Sequence, residues 1–312
     1  MPNVTEEWYD SLRGWRMELF LIPASVLTAL TLVADPLLLA CILCSRALRQ
    51  ETRYLLLSNV LVADVLFVAV NLAILVCNAH GVRMLRPFCD LVTAASVTAY
   101  CGGVLTLTLM VADTYAAVRW PLQYRARLPP ARTRQALVLV WLVAAVYPVS
   151  LVIAMEVLDD SAPWRPAVCL VLLSLGSIGR EAEAGVHVYY AVGAVLCSAL
   201  ILYCYARLYA VTRTSGIWRS RYSRARLTLL AHAVALLLYF GPGLVFTLEL
   251  HLFSEGSASQ DVRVWINAVN MNVLMPLPRA CAPFLYGLRY RDIHDTLLLL
   301  LRRRRLGQVT VA

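Results

Sequence analysis

Apolar residues in this chain of 312 residues gather into seven long runs, separated by short segments that carry most of the charge. A membrane hydrocarbon core of about 30 Å needs about 20 apolar residues per helix. The runs cover residues 19–44, 54–77, 90–118, 135–157, 186–206, 227–250 and 264–288. The pattern predicts an all-α bundle of seven transmembrane helices, and no intervening segment is long enough for a second domain.

A further apolar stripe follows the last run. Four residues recur there at helical spacing beside arginines: Ile293, Leu297, Leu298 and Leu301. The stripe predicts a short amphipathic eighth helix over about 290–301, lying on the membrane surface. We therefore divide the chain into an N-terminal segment (1–18), a seven-helix domain (19–288), and helix eight with its tail (289–312).

Charge is sparse and unevenly placed. Hydrophobic residues make up 60% of the chain and charged residues 15%, whereas soluble domains carry about 25% charged residues. The chain has no lysine; seven arginines lie on the side of the N-terminus, twenty lie on the opposite side, and Arg279 within the last run completes the 28. Because excess positive charge marks the cytoplasmic side, we expect an extracellular N-terminus, with Asn3 as a glycosylation site. The same asymmetry explains the net charge of +9, so the expected partner is a lipid bilayer and not nucleic acid.

Short motifs follow one another in a fixed order along the runs. Cys89 stands 25 residues before Thr114, within Asp113-Thr114-Tyr115. The other motifs are Asn59-Val-Leu-Val-Ala-Asp64, Trp141, Tyr205, Tyr239-Phe-Gly-Pro242 and Ala282-Pro-Phe-Leu-Tyr286. This series resembles the rhodopsin-like G-protein-coupled receptors, whose third helix begins with a cysteine and ends in Asp-Arg-Tyr. The stretches 214–226, 277–280 and 288–291 resemble, more narrowly, one orphan branch of that family.

The resemblance implies a plasma-membrane receptor in which a ligand rearranges the helices and the change is transmitted to a heterotrimeric G protein. It also implies a disulfide between Cys89 and Cys169, both of which are expected in the oxidising outer environment. The residues expected on the G-protein side are Asp113, Thr114, Tyr115, Tyr205 and Tyr286. An enzyme is not indicated, because no nucleophile–base pair or metal-spaced cluster stands out, and no cofactor is expected.

Departures from the family pattern leave an alternative open. The third-helix arginine, which engages the G protein in the family, is Thr114 here, and the seventh-helix asparagine is Ala282. The alternative is a seven-helix protein of receptor fold whose coupling is lost or atypical. A transporter is less favoured, because internal repeat symmetry is missing.

The resemblance places a ligand pocket near the outer face, between the third, fifth, sixth and seventh helices. The candidate pocket residues are Thr93, Ser96, Tyr100, His187, Tyr190, Phe240, Leu244 and Asn272. Retinal is excluded because its Schiff base needs a lysine. An amine is disfavoured because amine receptors carry an acid where this chain has Ser96. Glu249, at the outer end of the sixth run, is expected to be solvated.

Three charged residues, Asp35, Asp64 and Arg279, lie deep within the runs. Counted from the nearest cytoplasmic arginine, each lies about 15–16 Å into the membrane, so they share a layer. Ionisable groups at that depth are costly unless paired. In the family a sodium ion binds the acid at the position of Asp64; here we expect the guanidinium to replace the ion, bridging Asp64 and also Asp35. Because one cation faces two acids, Asp35 is expected to hold a proton.

Overall fold

A computed structural model of the chain describes residues 15–158, 169, 180–214, 234, 237–249, 251–252 and 259–289. In these ranges the long elements are all helices. They are α1 (Trp15–Cys44), α2 (Thr52–Ala79), α3 (Arg86–Arg119), α4 (Pro130–Leu158), α5 (Arg180–Thr214), α6 (Leu237–Glu249) and α7, which runs from Gln260–Val269 through Asn270–Leu274 into Pro276–Arg289. The predicted all-α bundle of seven helices is confirmed.

The helices extend past the predicted apolar runs at most ends. The first begins at Trp15 rather than at residue 19, and α5 covers Arg180–Thr214 rather than 186–206. Helical hydrogen bonding does not stop where the hydrocarbon ends, so polar turns continue each helix into the interface. The predicted glycosylation site Asn3 and the predicted helix eight lie outside the described residues.

Helix α3 forms the centre of the bundle and packs against α2, α4 and α5, whereas α1 packs against α2 and α7. In the apolar stretch of α3, 67% of the residues are buried, against 17% in those of α4 and α5. Polar contacts fix this arrangement: Asn59 Nδ2 donates to Thr106 Oγ1 at 2.8 Å, and Trp141 Nε1 donates to Asn59 Oδ1 at 2.8 Å. These two bonds join α2, α3 and α4.

A π-helical turn interrupts α7 at Asn270–Leu274, where the Met275 amide donates to the Asn270 carbonyl at 2.8 Å. Pro276 and Pro278 lack amide hydrogens, so the carbonyls four residues earlier lose their usual α-helical donors. The hydropathy pattern did not predict this turn. It changes the rotation of the following segment, which carries Arg279.

One end of the bundle is joined by a disulfide between Cys89, in the first turn of α3, and Cys169, with 5.8 Å between their Cα atoms. The predicted pairing is confirmed. Asn78 of α2 adds a contact that the sequence did not suggest: its Nδ2 donates to the Cys169 carbonyl at 2.9 Å, and its Oδ1 accepts from the Cys169 amide at 3.0 Å.

Candidate functional site

Arg279 and Asp64 form a buried ion pair in the middle of the bundle. Arg279 Nε lies 3.3 Å from Asp64 Oδ1, and both side chains are 1% exposed. The guanidinium carbon lies 3.7 Å from the ring centre of Phe67, and a terminal nitrogen donates to the Met275 carbonyl of the same helix. The distance expected between the two charges is therefore observed, while the role of the pair stays a prediction.

The second oxygen of Asp64 accepts the hydroxyl of Tyr239 at 2.6 Å. Because Tyr239 belongs to α6, the acid of α2 is bound by both α6 and α7. The ion pair and this hydrogen bond thus join α7 and α6 to α2 at the centre of the bundle.

Asp35 does not share in this pairing. Its side chain is fully buried, and within the described part of the chain neither of its oxygens has a hydrogen-bond partner. It lies close enough to interact electrostatically with Asp64 and Arg279. The expectation of a guanidinium bridging both acids is therefore corrected, because a terminal nitrogen of Arg279 is used by its own helix.

The residues around Asp64 do not fit a sodium ion. The guanidinium of Arg279 supplies a positive charge 3.3 Å from the carboxylate. Gly103 faces the same acid, and a Cβ at this position would lie 4.0 Å from Asp64 Oδ1, so this position offers no side-chain oxygen to a cation.

A cavity of about 100 Å³ lies toward the disulfide end, between α3, α4, α5, α6 and α7. Four of the predicted pocket residues line it: Thr93, Ser96, Tyr100 and Tyr190. Asp90 is the charged residue on this wall, and its Oδ2 lies 3.7 Å from Arg86 Nε. The remaining wall is mostly aliphatic and aromatic, so the cavity suits an apolar group.

The other four predicted pocket residues do not line this cavity. Leu244 is 59% exposed on the outside of α6, because its neighbour Gly243 faces inward and successive helix residues are rotated by about 100°. Asn272 Nδ2 donates to the Ala268 carbonyl of its own helix. Phe240 packs against the core, and His187 is half-buried.

Helix α4 contributes wall residues that the sequence reasoning missed, namely Tyr147, Pro148, Leu151 and Val152. The family expectation had assigned the pocket to α3, α5, α6 and α7 alone. In the sequence, Tyr147 stands beside Pro148 within an apolar run. A ring at this position can pack where the proline bends the helix, and this pair could have indicated that α4 reaches the cavity.

Two tyrosines between the cavity and α6 hold that helix. The Tyr100 hydroxyl donates to the Tyr239 carbonyl, and the Tyr190 hydroxyl donates to the Phe240 carbonyl at 3.1 Å. Gly243 makes this approach possible, because a Cβ there would collide with both hydroxyl groups. An occupant of the cavity would therefore touch the side chains that bind α3 and α5 to α6.

Polar contacts also connect α6 and α7. Asn267 Nδ2 donates to Glu249 Oε2 at 2.9 Å, and Asn270 Nδ2 donates to the Pro242 carbonyl at 3.1 Å. Glu249 is only 3% exposed, so the expectation that it is solvated was wrong. Asn267 and Asn270 of α7 donate these hydrogen bonds to α6, and a hydropathy profile does not predict them.

At the arginine-rich end, Asp113 accepts the hydroxyl of Tyr124 at 2.7 Å. Burial, and after it the hydrogen bond to Asp113, raises the pKa of Tyr124, so the hydroxyl stays protonated and donates at neutral pH. Thr114 Oγ1 donates to the Met110 carbonyl of its own helix at 2.8 Å. An open cavity of about 600 Å³ is bordered by Asp113, Thr114 and Tyr124, together with Glu51 and Arg53.

The other residues predicted on this side have different settings. The ring of Tyr115 contacts those of Trp120 and Tyr203, each at 6.2 Å between centres. Tyr205 is half-buried and packs against the core. Tyr286 lies in α7, and its side chain is outside the described part of the chain.

Comparison with known proteins agrees with this geometry. A family model described as 7 transmembrane receptor (rhodopsin family) matches residues 36–286. Probable G-protein coupled receptor 148 of Homo sapiens is 37% identical over 274 residues, which cover 87% of this chain and 79% of that relative. The alpha-1D adrenergic receptor of Homo sapiens is 28% identical over 213 residues (63% of this chain, 34% of the relative). The substance-K receptor of Canis lupus familiaris is 28% identical over 144 residues (46% and 37%). The first of these belongs to the orphan branch that the stretches 214–226, 277–280 and 288–291 had indicated.

Proposed function

Because this chain belongs to the rhodopsin family of seven-transmembrane receptors, we propose that it is a plasma-membrane receptor with an extracellular N-terminus and a ligand in the cavity near the disulfide. Family membership makes it a multi-pass membrane protein and a receptor rather than an enzyme, and the family generally signals through G proteins. The excess of arginines at the other end supports the proposed orientation.

The observation that carries the proposal is the pair of tyrosine hydroxyls between the cavity and α6. Tyr100 from α3 and Tyr190 from α5 line the cavity and donate to consecutive carbonyls of α6. A ligand that rotates either ring breaks a bond to α6, and its binding then favours the arrangement in which α6 has moved. The link between ligand and helix is therefore direct.

The ligand we propose is neutral and mainly apolar. Asp90 is already paired with Arg86, so the cavity does not require a cationic group. Two relatives are named as an adrenergic and a substance-K receptor, but Ser96 offers no acid to an amine, and the absence of lysine excludes retinal. A cavity of about 100 Å³ is smaller than the ~150 Å³ that holds a benzene ring, so the tyrosines must move to admit a larger ligand.

A second candidate is a receptor fold with lost or atypical coupling, and one observation favours it. Thr114 stands where the family has its arginine and bonds only within α3 among the described contacts. In the cavity of about 600 Å³ at that end, α3 and the loop after it offer a G protein the Asp113–Tyr124 pair and Thr114, and not the arginine that the family pattern places there.

A G-protein activation assay on the reconstituted receptor tests both candidates. We expect basal nucleotide exchange above that of empty vesicles, and a larger response for Thr114→Arg. Tyr190→Phe should raise basal exchange about five-fold, because a lost hydrogen bond is worth about 1 kcal/mol. Tyr189→Phe is the matched control, since its hydroxyl donates to Val143 of α4 and not to α6. No exchange in any of these variants would support the second candidate.

A further inference from the structure

A separate cavity of about 340 Å³ lies at the arginine-rich end, bordered by α2, α3, α4 and the loop between α3 and α4. Its α3 wall includes Leu109, Ala112 and Ala116, which are three and four residues apart and share one helix face. Ala136 lies opposite on α4. The three alanines leave a cleft between helices that would otherwise touch.

One stripe of α4 continues from the lining of the cleft along the outside of the bundle. Arg132, Ala136, Leu139 and Val143 follow one another at spacings of four, three and four, and so share a face of the helix. Leu139 is 60% exposed and Val143 is 47% exposed, which means that this face meets the hydrocarbon. Arg132, at the end of the stripe, is exposed and lines the mouth of the cleft.

The stripe has the length of one leaflet. From Arg132 to Val143 the helix rises about 16 Å, close to half of a hydrocarbon core of about 30 Å. A guanidinium stands at one end and apolar side chains fill the rest. This is the order of groups in an anionic phospholipid, from phosphate to acyl chain.

We propose that the cleft is a binding site for one anionic phospholipid, with an acyl chain between α3 and α4 and the phosphate at Arg132. Arginine binds phosphate through two parallel hydrogen bonds. The segment 119–134 carries five arginines, each of which adds attraction to an anionic surface. A zwitterionic lipid would fill the cleft but lack the net charge.

An occupant of the cleft would also contact the Asp113–Tyr124 pair. Both residues line this cleft and the cavity of about 600 Å³ beside it, so the hydrogen-bonded pair forms the wall between the two spaces. A chain packed against that wall stabilises the short helix Tyr124–Arg127 that follows Gln123. The lipid thereby orders the inner surface, whether or not a G protein couples there.

Native mass spectrometry of the full chain tests the proposal, with phosphatidylserine and phosphatidylcholine of identical acyl chains as probes. We expect one phosphatidylserine to bind more tightly than phosphatidylcholine. Arg132→Gln should raise its Kd about ten-fold, because a hydrogen bond to a charged group contributes roughly 1.5 kcal/mol. Arg134→Gln removes the same charge two residues away from a position that does not line the cleft, and should have a much smaller effect. Equal effects of the two variants, or equal binding of the two lipids, would overturn the proposal.

Filling the cleft tests the place of the acyl chain. Ala136→Phe, or the milder Ala116→Leu on α3, should abolish tight binding of the single lipid. Val138→Phe is the control, because Val138 is 61% exposed on another face of α4. Thermal unfolding identifies any variant that fails to fold. If Ala136→Phe does not fold, Ala116→Leu tests whether the acyl chain lies in the cleft. Undiminished preference for phosphatidylserine in a folded, filled variant would exclude the cleft as the site.

Discussion

Asp64 and Asp113 are two buried acids that each accept a tyrosine hydroxyl, at 2.6 Å from Tyr239 and 2.7 Å from Tyr124, but they differ in their cationic partner. Asp64 has the guanidinium of Arg279 at 3.3 Å. Asp113 forms no ion pair among the described residues, and its neighbour in the chain is Thr114. The family pattern places an arginine beside the second acid and a sodium ion beside the first.

The difference between the two acids lies in the position of the buried positive charge. The guanidinium lies in the layer of α2 and α7, where its pairing joins two helices at the centre of the bundle. At the arginine-rich end, a neutral hydroxyl joins α3 to the following loop. We infer that breaking the central ion pair costs the most stability, while the arginine-rich end is held by weaker bonds that a partner can displace.

Removal of the central cation should have the largest effect. Arg279→Ala leaves Asp64 buried opposite an apolar side chain, and broken buried pairs typically lose about 3–5 kcal/mol. We expect a sharp fall in Tm, measured in detergent by a thiol-reactive dye or by ligand-free fluorescence unfolding.

Two controls separate charge from packing. Asp64→Asn combined with Arg279→Ala removes both charges and should recover part of the loss. Arg53→Ala breaks the exposed contact with Glu51, whose side chain is 37% exposed, and should change the free energy of unfolding by less than about 1 kcal/mol. An unchanged Tm in Arg279→Ala would contradict the central role of the pair.

The two tyrosines provide the next test. Tyr124→Phe removes the only described hydrogen bond to Asp113, and bonds to charged groups contribute about 1.5–3 kcal/mol. Tyr239→Phe leaves Asp64 with its guanidinium and should therefore destabilise less. The measurement is the Tm of each variant against the wild type. Equal losses of Tm in the two variants would mean that the ion pair with Arg279 does not compensate Asp64 for the missing hydrogen bond.

The sequence predicted the seven helices and the layer of charged residues. The length of each helix and the depth of each charged residue follow from counting residues along the apolar runs. Arg279 and Asp64 could be brought together once the resemblance made α2 and α7 neighbours. Counting does not fix the rotation of a helix about its axis. Leu244 faces outward, Tyr147 of α4 reaches the cavity and Glu249 is buried, and all three depend on that rotation.

The isolation of Asp35 has a related cause. The π turn of Asn270–Leu274 alters the rotation of the segment that carries Arg279, and the guanidinium then bonds to the Met275 carbonyl. A prediction based on depth alone placed all three charges within reach of one another. The backbone change near Pro276 and Pro278 lies directly before Arg279, which pairs with Asp64 alone among the described acids.

Asp35→Asn should have a small effect on Tm, neutral or slightly stabilising. With one guanidinium facing two acids, the acid that lacks partners is the one expected to hold a proton, and an asparagine replaces it without loss of an ion pair. Asp64→Asn is the matched comparison and should destabilise strongly, since it leaves Arg279 unpaired. A large loss of Tm in Asp35→Asn would show that Asp35 carries the charge that Arg279 neutralises.

The smallest expected effect is that of sodium. A ligand that binds only the folded state raises its stability by about 2.7 kcal/mol at a concentration of 100 Kd, so a functional sodium site would shift Tm visibly between sodium chloride and choline chloride at equal ionic strength. We expect no shift for the wild type, because the guanidinium of Arg279 lies 3.3 Å from the acid that the ion would need and would repel it. Arg279→Ser removes that charge and places a hydroxyl near Asp64, so any sodium dependence should appear in this variant first. A sodium-dependent Tm in the wild type that Asp64→Asn abolishes would show that ion and guanidinium coexist, and the interpretation of Arg279 as the replacement for the ion would then be wrong.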